Sequence, residues 1–292
     1  MSQQPDVPQD QDPILARERT LRAWFIRDAD PVLAQIDGLD IGWGGVQSWA
    51  TARMPTLQGR HLDIACGYAT FLAQLGWRFP RARLVGLNID FDGPHALASA
   101  LLIQAGVKAA LVQADTRRTP FVGGAFGSAS CFLGLQDVEI GFGWQGVRQA
   151  VAEAVRVLRP GGGLVLLDEF PFERFDTLLD GLPIAIVDRA ERPLDVRWSR
   201  QVAERAIELY AQGWAAQARP ADPASRAQLY TEAHARLAAA MESQLHERGY
   251  YVPFGPVRLL IARRLPIQAR QSRAPLTQPI EPQLNPIERE SC

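Results

Sequence analysis

Three cysteines and four histidines in 292 residues leave little from which to build a metal centre or a disulfide framework. Cys66, Cys131 and Cys292 stand at spacings that match neither a metal knuckle nor a bridged scaffold. His61, His95, His234 and His246 form no ligand cluster along the chain, so no metal is expected. Charge of one sign is also lacking. With a net charge of −1, no overall field draws nucleic acid or an anionic membrane. No apolar run approaches the ~18 residues that span a bilayer. The opening stretch, MSQQPDVPQDQDP, is polar and acidic, unlike a secretory or transit peptide. The expectation is a cytoplasmic chain with reduced cysteines, no membrane segment and no nucleic-acid partner. Nothing in the pattern sets an oligomeric state.

What is present is the composition of a globular enzyme, 47% apolar and 22% charged. Residues 1–12 and 266–292 are dominated by Gln, Pro and charge, and bury too little apolar surface to offset ordering entropy. Both are expected to be disordered tails around one domain, 13–265. Its first part, to about Ala50, has helical anchors (Leu21, Trp24, Phe25, Leu33, Ile36) and a glycine-rich connection, GLDIGWGGVQSW. A regular alternation follows. HLDIA (61–65), ARLVGLNI (82–89), AALVQA (109–114), GSASCFLG (127–134) and GGLVLLDEF (162–170) are strand-like. Between them lie helical patterns in ATFLAQLGWRF, PHALASALLIQAG (94–106) and GWQGVRQAVAEAVRVLR (143–159). LPIAIVDRAE is a sixth strand, and GPVRLLIARR (255–264) is expected to return antiparallel to the sheet. Apolar strands separated by amphipathic helices predict an α/β, doubly wound, mostly parallel sheet covered on both faces. Ligands bind such sheets at the strands' carboxyl ends, beside the switch in strand order.

The loop after strand one, ACGYA, is the first place to look. Gly67 is where a backbone amide can approach a ligand closely. Ala65 and Ala69 stand where glycine would be more permissive, which is tolerable provided φ there is negative. Alone, the loop fits either a ligand cradle or a tight turn in a buried core. Asn88, ending strand two, is placed to face ribose hydroxyls, with Asp90 two residues on. Asp115, ending strand three, can accept from an adenine amino group, and the amide of Thr116 can donate to a ring nitrogen. In VRVLRPGGGLVLLDE, helix, Pro-Gly turn and strand follow in close order.

Together LDIACGYA, LVGLNID, QADTRRTPF and VRVLRPGGGLVLLDE resemble the class I S-adenosylmethionine-dependent methyltransferases, in particular the small-molecule group related to the quinone-biosynthesis enzymes. The resemblance covers roughly residues 40–170. It implies seven strands in the order 3-2-1-4-5-7-6, with S-adenosylmethionine over strands one and two. Carried over, it sets Asp63, Ala65 and Gly67 around the methionine part and Asn88 with Ile89 at the ribose and adenine. Asp115 and Thr116 would read the adenine edge, Leu133 would lie under the sulfonium, and Trp43 would supply an aromatic near the cofactor. Ala69 and Asn88 depart from the usual glycine and acid.

No catalytic residue stands out, because an activated methyl needs alignment more than acid–base help. Asp137 and Glu169 are the carboxylates to consider as bases, with Glu139 and Asp168 beside them. His61 lies at the end of strand one away from the loop. The signature that nucleic-acid amino methyltransferases carry after strand four is missing, since GLQDVE stands there, and a small-molecule acceptor is expected. The helical stretches 199–217 and 224–248, rich in Trp, Tyr and Leu, are an added lid, a satellite core, or both. Two other readings remain: a methyltransferase-like protein that binds without transfer, and a nicotinamide-dependent oxidoreductase.

Overall fold

The apolar runs form seven strands in the computed structural model, which describes residues 13–25, 45–57, 59–91, 96–194, 197–217, 222–252 and 255–266. They are β1 (Arg60–Ile64), β2 (Arg83–Asn88), β3 (Ala109–Gln113), β4 (Phe126–Phe132), β5 (Leu158–Asp168), β6 (Ile184–Arg192) and β7 (Val257–Arg264). One sheet holds them in the order β3-β2-β1-β4-β5-β7-β6. β2 and β4 pair parallel to β1, while β7 runs antiparallel between β5 and β6, the return that the sequence predicts.

Around the sheet lie α1 (Pro13–Phe25), α2 (Val46–Arg53), α3 (Thr70–Arg78), α4 (Ala98–Ala105), α5 (Leu135–Val157), α6 (Phe172–Leu179), α7 (Arg200–Gln217) and α8 (Pro223–Arg248). One face buries Leu62, Ile64, Leu87, Leu164 and Leu166 against α5 and α6. The other packs Leu84, Val165, Leu167 and Leu259 against α2, α3 and α4. Alternate residues of each strand thus serve opposite cores, and each fully buried aliphatic side chain stabilises the fold by ~1.5–3 kcal/mol. Close packing of α3 demands glycine at Gly86: a Cβ there would stand 2.5 Å from Leu72 Cδ1 and 2.8 Å from Cys66 Sγ.

Three boundaries differ from the sequence reading. The last part of the glycine-rich connection is helical, as α2, whose Gln47 donates to Thr70 Oγ1 at 2.8 Å and ties it to the start of α3. The helix expected from 143 begins at Leu135. Asp168 Oδ2 accepts from the amide of Leu135 at 3.0 Å, satisfying a helix-start donor, and Gly143 (φ 66°) kinks the helix where the sequence pattern begins. β5 starts at Leu158 because Leu158 pairs with Phe126 before the Pro-Gly irregularity. The two tails lie outside the described residues, apart from Pro266.

α7 and α8 carry a separate small core of Trp198, Val202, Ala206, Ile207, Met241 and Tyr251. Trp198 and Tyr251 join it to the segment before β7 through paired backbone hydrogen bonds at 2.8 and 3.0 Å. Among the described residues no helix is long and apolar enough to cross a membrane.

Candidate functional site

The carboxyl ends of β1 and β4, where the strand order switches direction, hold the most strained backbone. Ala65 (φ 51°), Ala69 (φ 64°) and Leu133 (φ 53°) are the described non-glycine residues in the left-handed region. Gly67 joins them at φ 48°. The two alanines therefore do not have the negative φ on which the sequence reading depended. Each costs about 1–2 kcal/mol relative to a right-handed conformation. Such strain concentrates at ligand clamps, where surrounding structure enforces it. Here the enforcement is visible. The amide of Cys66 donates to Leu87 O at 3.1 Å, and that of Ala69 to Cys66 O at 2.8 Å. Leu133 N donates to Leu167 O at 2.8 Å, and the loops after β1 and β4 touch: a Cβ on Gly134 would meet Ala65 Cβ at 2.6 Å.

Beneath this cradle Asp63 is buried, facing α3. Its Oδ1 accepts from Ser130 Oγ at 2.5 Å, and its Oδ2 is buried without a hydrogen-bond partner. Burial pushes its pKa up to about 7, against the lowering effect of the Ser130 hydrogen bond. His61 stands 2.9 Å from Ser130 Oγ through Nε2 and 2.8 Å from Ser128 Oγ through Nδ1. Burial drives the imidazole pKa down to about 3, so the ring is neutral.

At the neighbouring strand ends, Ala114 N donates to Asn88 O at 2.9 Å and brings Asn88 beside Asp115. Asn88 is buried, and its Nδ2 donates to Asp90 O at 2.7 Å, which shapes the turn after β2. Ile89 is 39% exposed at the rim, as an apolar wall for a planar ring would be. Asp115 caps a short 3-10 helix (Thr116–Arg118) by accepting from Arg117 N at 2.9 Å. Both its oxygens also accept from the Arg117 guanidinium, whose carbon sits 3.5 Å from the centre of the Phe142 ring. The carboxylate thus serves Arg117 as well as any ligand, a partner the sequence reading did not foresee. Thr116 is buried. Trp43 lies outside the described residues.

The carboxylates past β4 and β5 divide by role. Asp168 spends both oxygens on backbone amides, those of Leu135 and Glu169, and shapes the loop after β4. Asp137 reaches solvent, although desolvation by its dense surroundings pushes its pKa up to about 6. Glu169 is pushed up by burial and held by the Gln136 side chain and the Gly255 amide. It opens onto a chamber of about 600 Å³ with Glu139, Ile140, Phe170, Arg174 and Leu229. Arg174 bridges to Glu139 at 2.6 Å and lies 4.3 Å from the ring centres of both Trp144 and Phe170. His234 lies beside Tyr230 on α8 with the rings tilted at 41°, and His95 lies outside the described residues.

The sequence reading missed the Ser128–His61–Ser130–Asp63 chain. Its signal was period-two polarity: His61 and Asp63 on one central strand, Ser128 and Ser130 on the next, in runs otherwise apolar.

The strand order β3-β2-β1-β4-β5-β7-β6 is a Rossmann-like arrangement shared with solved methyltransferase structures. Residues 62–162 match the family described as "Methyltransferase domain". The demethylmenaquinone methyltransferase of Deinococcus radiodurans is 35% identical over 140 residues, covering 46% of this chain and 52% of that protein. Its Thermus thermophilus counterpart is 34% identical over 113 residues, 38% of this chain and 47% of that protein. The chain spans about half the length of the curated relatives it matches. A solved structure of a candidate methyltransferase from Bacillus halodurans is similar in fold, with TM-score 0.50 and 15% identity over 76% of this chain and 98% of that one.

Proposed function

We propose that the chain transfers a methyl group from S-adenosylmethionine to a small, largely apolar acceptor, as one domain (13–265) in which 199–248 forms a lid. The observation that carries this reading is the convergence of left-handed Ala65, Gly67, Ala69 and Leu133 at the ends of β1 and β4, above a buried carboxylate oxygen with no partner. The residues fit the cofactor: a glycine for close backbone approach, an unmet acid for an amino group, and polar strand ends for a nucleoside. The cofactor, when bound, supplies a methyl group on a sulfonium, already electrophilic.

The chain's own part is then to align and to dry. Gly67 admits the ligand to the backbone, Leu133 keeps water from the end of β4, and Asn88, Ile89, Asp115 and Thr116 hold the nucleoside edge. The chamber beside Glu169 holds the acceptor between Phe170, Ile140 and Leu229. Glu169, its carboxyl pKa raised by burial, takes the acceptor's proton where one must leave, with Asp137 next in reach along α5. Alignment of this kind supplies ~7–11 kcal/mol without further acid–base help. Apolar chamber walls and the name of the curated relatives both support an apolar acceptor.

Calorimetry with S-adenosylmethionine, its demethylated product and NAD tests the reading. Binding of the first two and not of NAD is expected; NAD alone would favour an oxidoreductase. Labelled methyl transfer to hydroxylated apolar acceptors then separates an enzyme from a protein that only binds.

A further inference from the structure

Hydrogen-bond direction along the buried chain is forced from one end. With Asp63 ionised, the Ser130 hydroxyl donates to Asp63 Oδ1, so its oxygen is left to accept. His61 Nε2, 2.9 Å away, must then be the N–H that donates to it. Neutral imidazole has one N–H, so Nδ1 is the acceptor and the Ser128 hydroxyl donates to it across 2.8 Å. Every donor in the chain points toward Asp63. Aligned bonds of this kind polarise one another and favour negative charge at the terminal acceptor. All four side chains are buried on the α3 face, at register pairs His61–Ser128 and Asp63–Ser130.

We propose that His61 is a positioning residue for the ligand in the β1 loop: acting through Ser130, it fixes Asp63 by one oxygen and leaves the other to receive the ligand's amino group. The inference rests on the cofactor reading above but concerns side chains that touch no ligand. It makes affinity pH-dependent, because Asp63 must be ionised to receive a cation. Of the other titratable groups around Asp63, Asp168 and Asp137 are raised to about 7 and about 6 and titrate in the same range, so Asp63→Asn is the variant that assigns the dependence. Cys66 from the loop and Cys131 from β4 have thiols pushed well up by burial and so stay neutral. Asp168 on β5 and Asp137 on α5 act on Cys131, and both Asp168 oxygens are spent on amides. His61 itself stays neutral down to about pH 3.

The test is calorimetric titration of the full chain with demethylated cofactor between about pH 5.5 and 8. Wild-type affinity should rise about tenfold per pH unit below neutrality and level off above it. Ser130→Ala should move that rise to higher pH and weaken binding at pH 7 roughly tenfold or more, the worth of a hydrogen bond to a charged group. His61→Phe should shift the profile the same way. His61→Gln, which keeps an N–H donor in reach of Ser130, should bring it back, and Asp63→Asn should flatten it. Ser130→Ala and His61→Phe profiles that overlay the wild type overturn the proposal, as does failure of His61→Gln to outperform His61→Phe.

Should the variants not fold, ¹⁵N NMR of the wild-type ring at about pH 8, where Asp63 is ionised, decides: Nε2–H with bare Nδ1 is required, and the opposite tautomer overturns the chain's direction. Wild type that binds no demethylated cofactor at any pH sinks the cofactor reading instead, while its ¹⁵N tautomer still reports on the chain. The two failures are thus distinguishable.

Discussion

Gly134→Ala isolates the contact between the loops after β1 and β4. Gly134 has φ −107°, which any residue adopts, so the substitution brings no backbone strain. Its new Cβ would stand 2.6 Å from Ala65 Cβ, 3.1 Å from Ala65 O and 3.2 Å from Cys131 Sγ. Carbon atoms rest at about 3.5–4.0 Å, so the loops must part by roughly 1 Å. Overpacking of this size costs about 1–3 kcal/mol. For a domain of this length that is a Tm drop on the order of 5 °C. Misplacement by ~1 Å can also cost ~100-fold in turnover. Thermal denaturation and calorimetry with demethylated cofactor measure both effects. Ala65→Gly removes the opposing methyl and relieves a left-handed alanine, so the double variant should recover most of the lost stability. A Gly134→Ala protein with wild-type Tm and affinity, or a double variant no better than the single, would refute the contact between the loops.

Gly67→Val forces a branched side chain into φ 48° within the cradle and should abolish cofactor binding by calorimetry, with the sheet's circular dichroism unchanged. Ala69→Gly should bind as wild type, since relief at φ 64° offsets the loss of one buried methyl. Stability of the ligand-free protein should change with pH above all through three fully buried groups. Asp63 and Asp168, raised to about 7, bind more protons folded than unfolded, so their contribution is lost as pH rises from about 4 to 7. His61, lowered to about 3, works oppositely, adding stability as pH rises from about 3 to 6.5. Chemical denaturation at pH 5 and 8 should therefore show Asp63→Asn less sensitive to pH than wild type. In hydrogen exchange, α7 and α8 should open faster than β1, β4 and β5, and slow when acceptor is added after cofactor. Equal slow rates, unchanged by ligands, would make them a fixed satellite core.

The strands themselves were legible because each rests on a local signal, whereas their order came from the resemblance. Runs such as ARLVGLNI mark buried parallel strands, and a glycine after the first strand marks the turn. The sequence could not show backbone sign: Ala65 and Ala69 are left-handed because long-range bonds to Leu87 and contact with Gly134 hold the loop. Nor did pattern reveal the partners of acids. Asp115 is shared with Arg117, Asp168 caps α5, and Asp63 ends a chain assembled from two strands that meet only in the folded sheet. α5 was misplaced at its start because Gly143 interrupts the periodicity, while the cap that begins the helix comes from a distant strand.

The most direct measurement is a crystal structure of the chain with demethylated cofactor. The account predicts ligand density over the carboxyl ends of β1 and β2, its amino group within hydrogen-bond distance of Asp63 or the backbone at Gly67, and its sulfur beside Leu133. Density elsewhere, or over the chamber at Glu169 with the β1 loop empty, would contradict it.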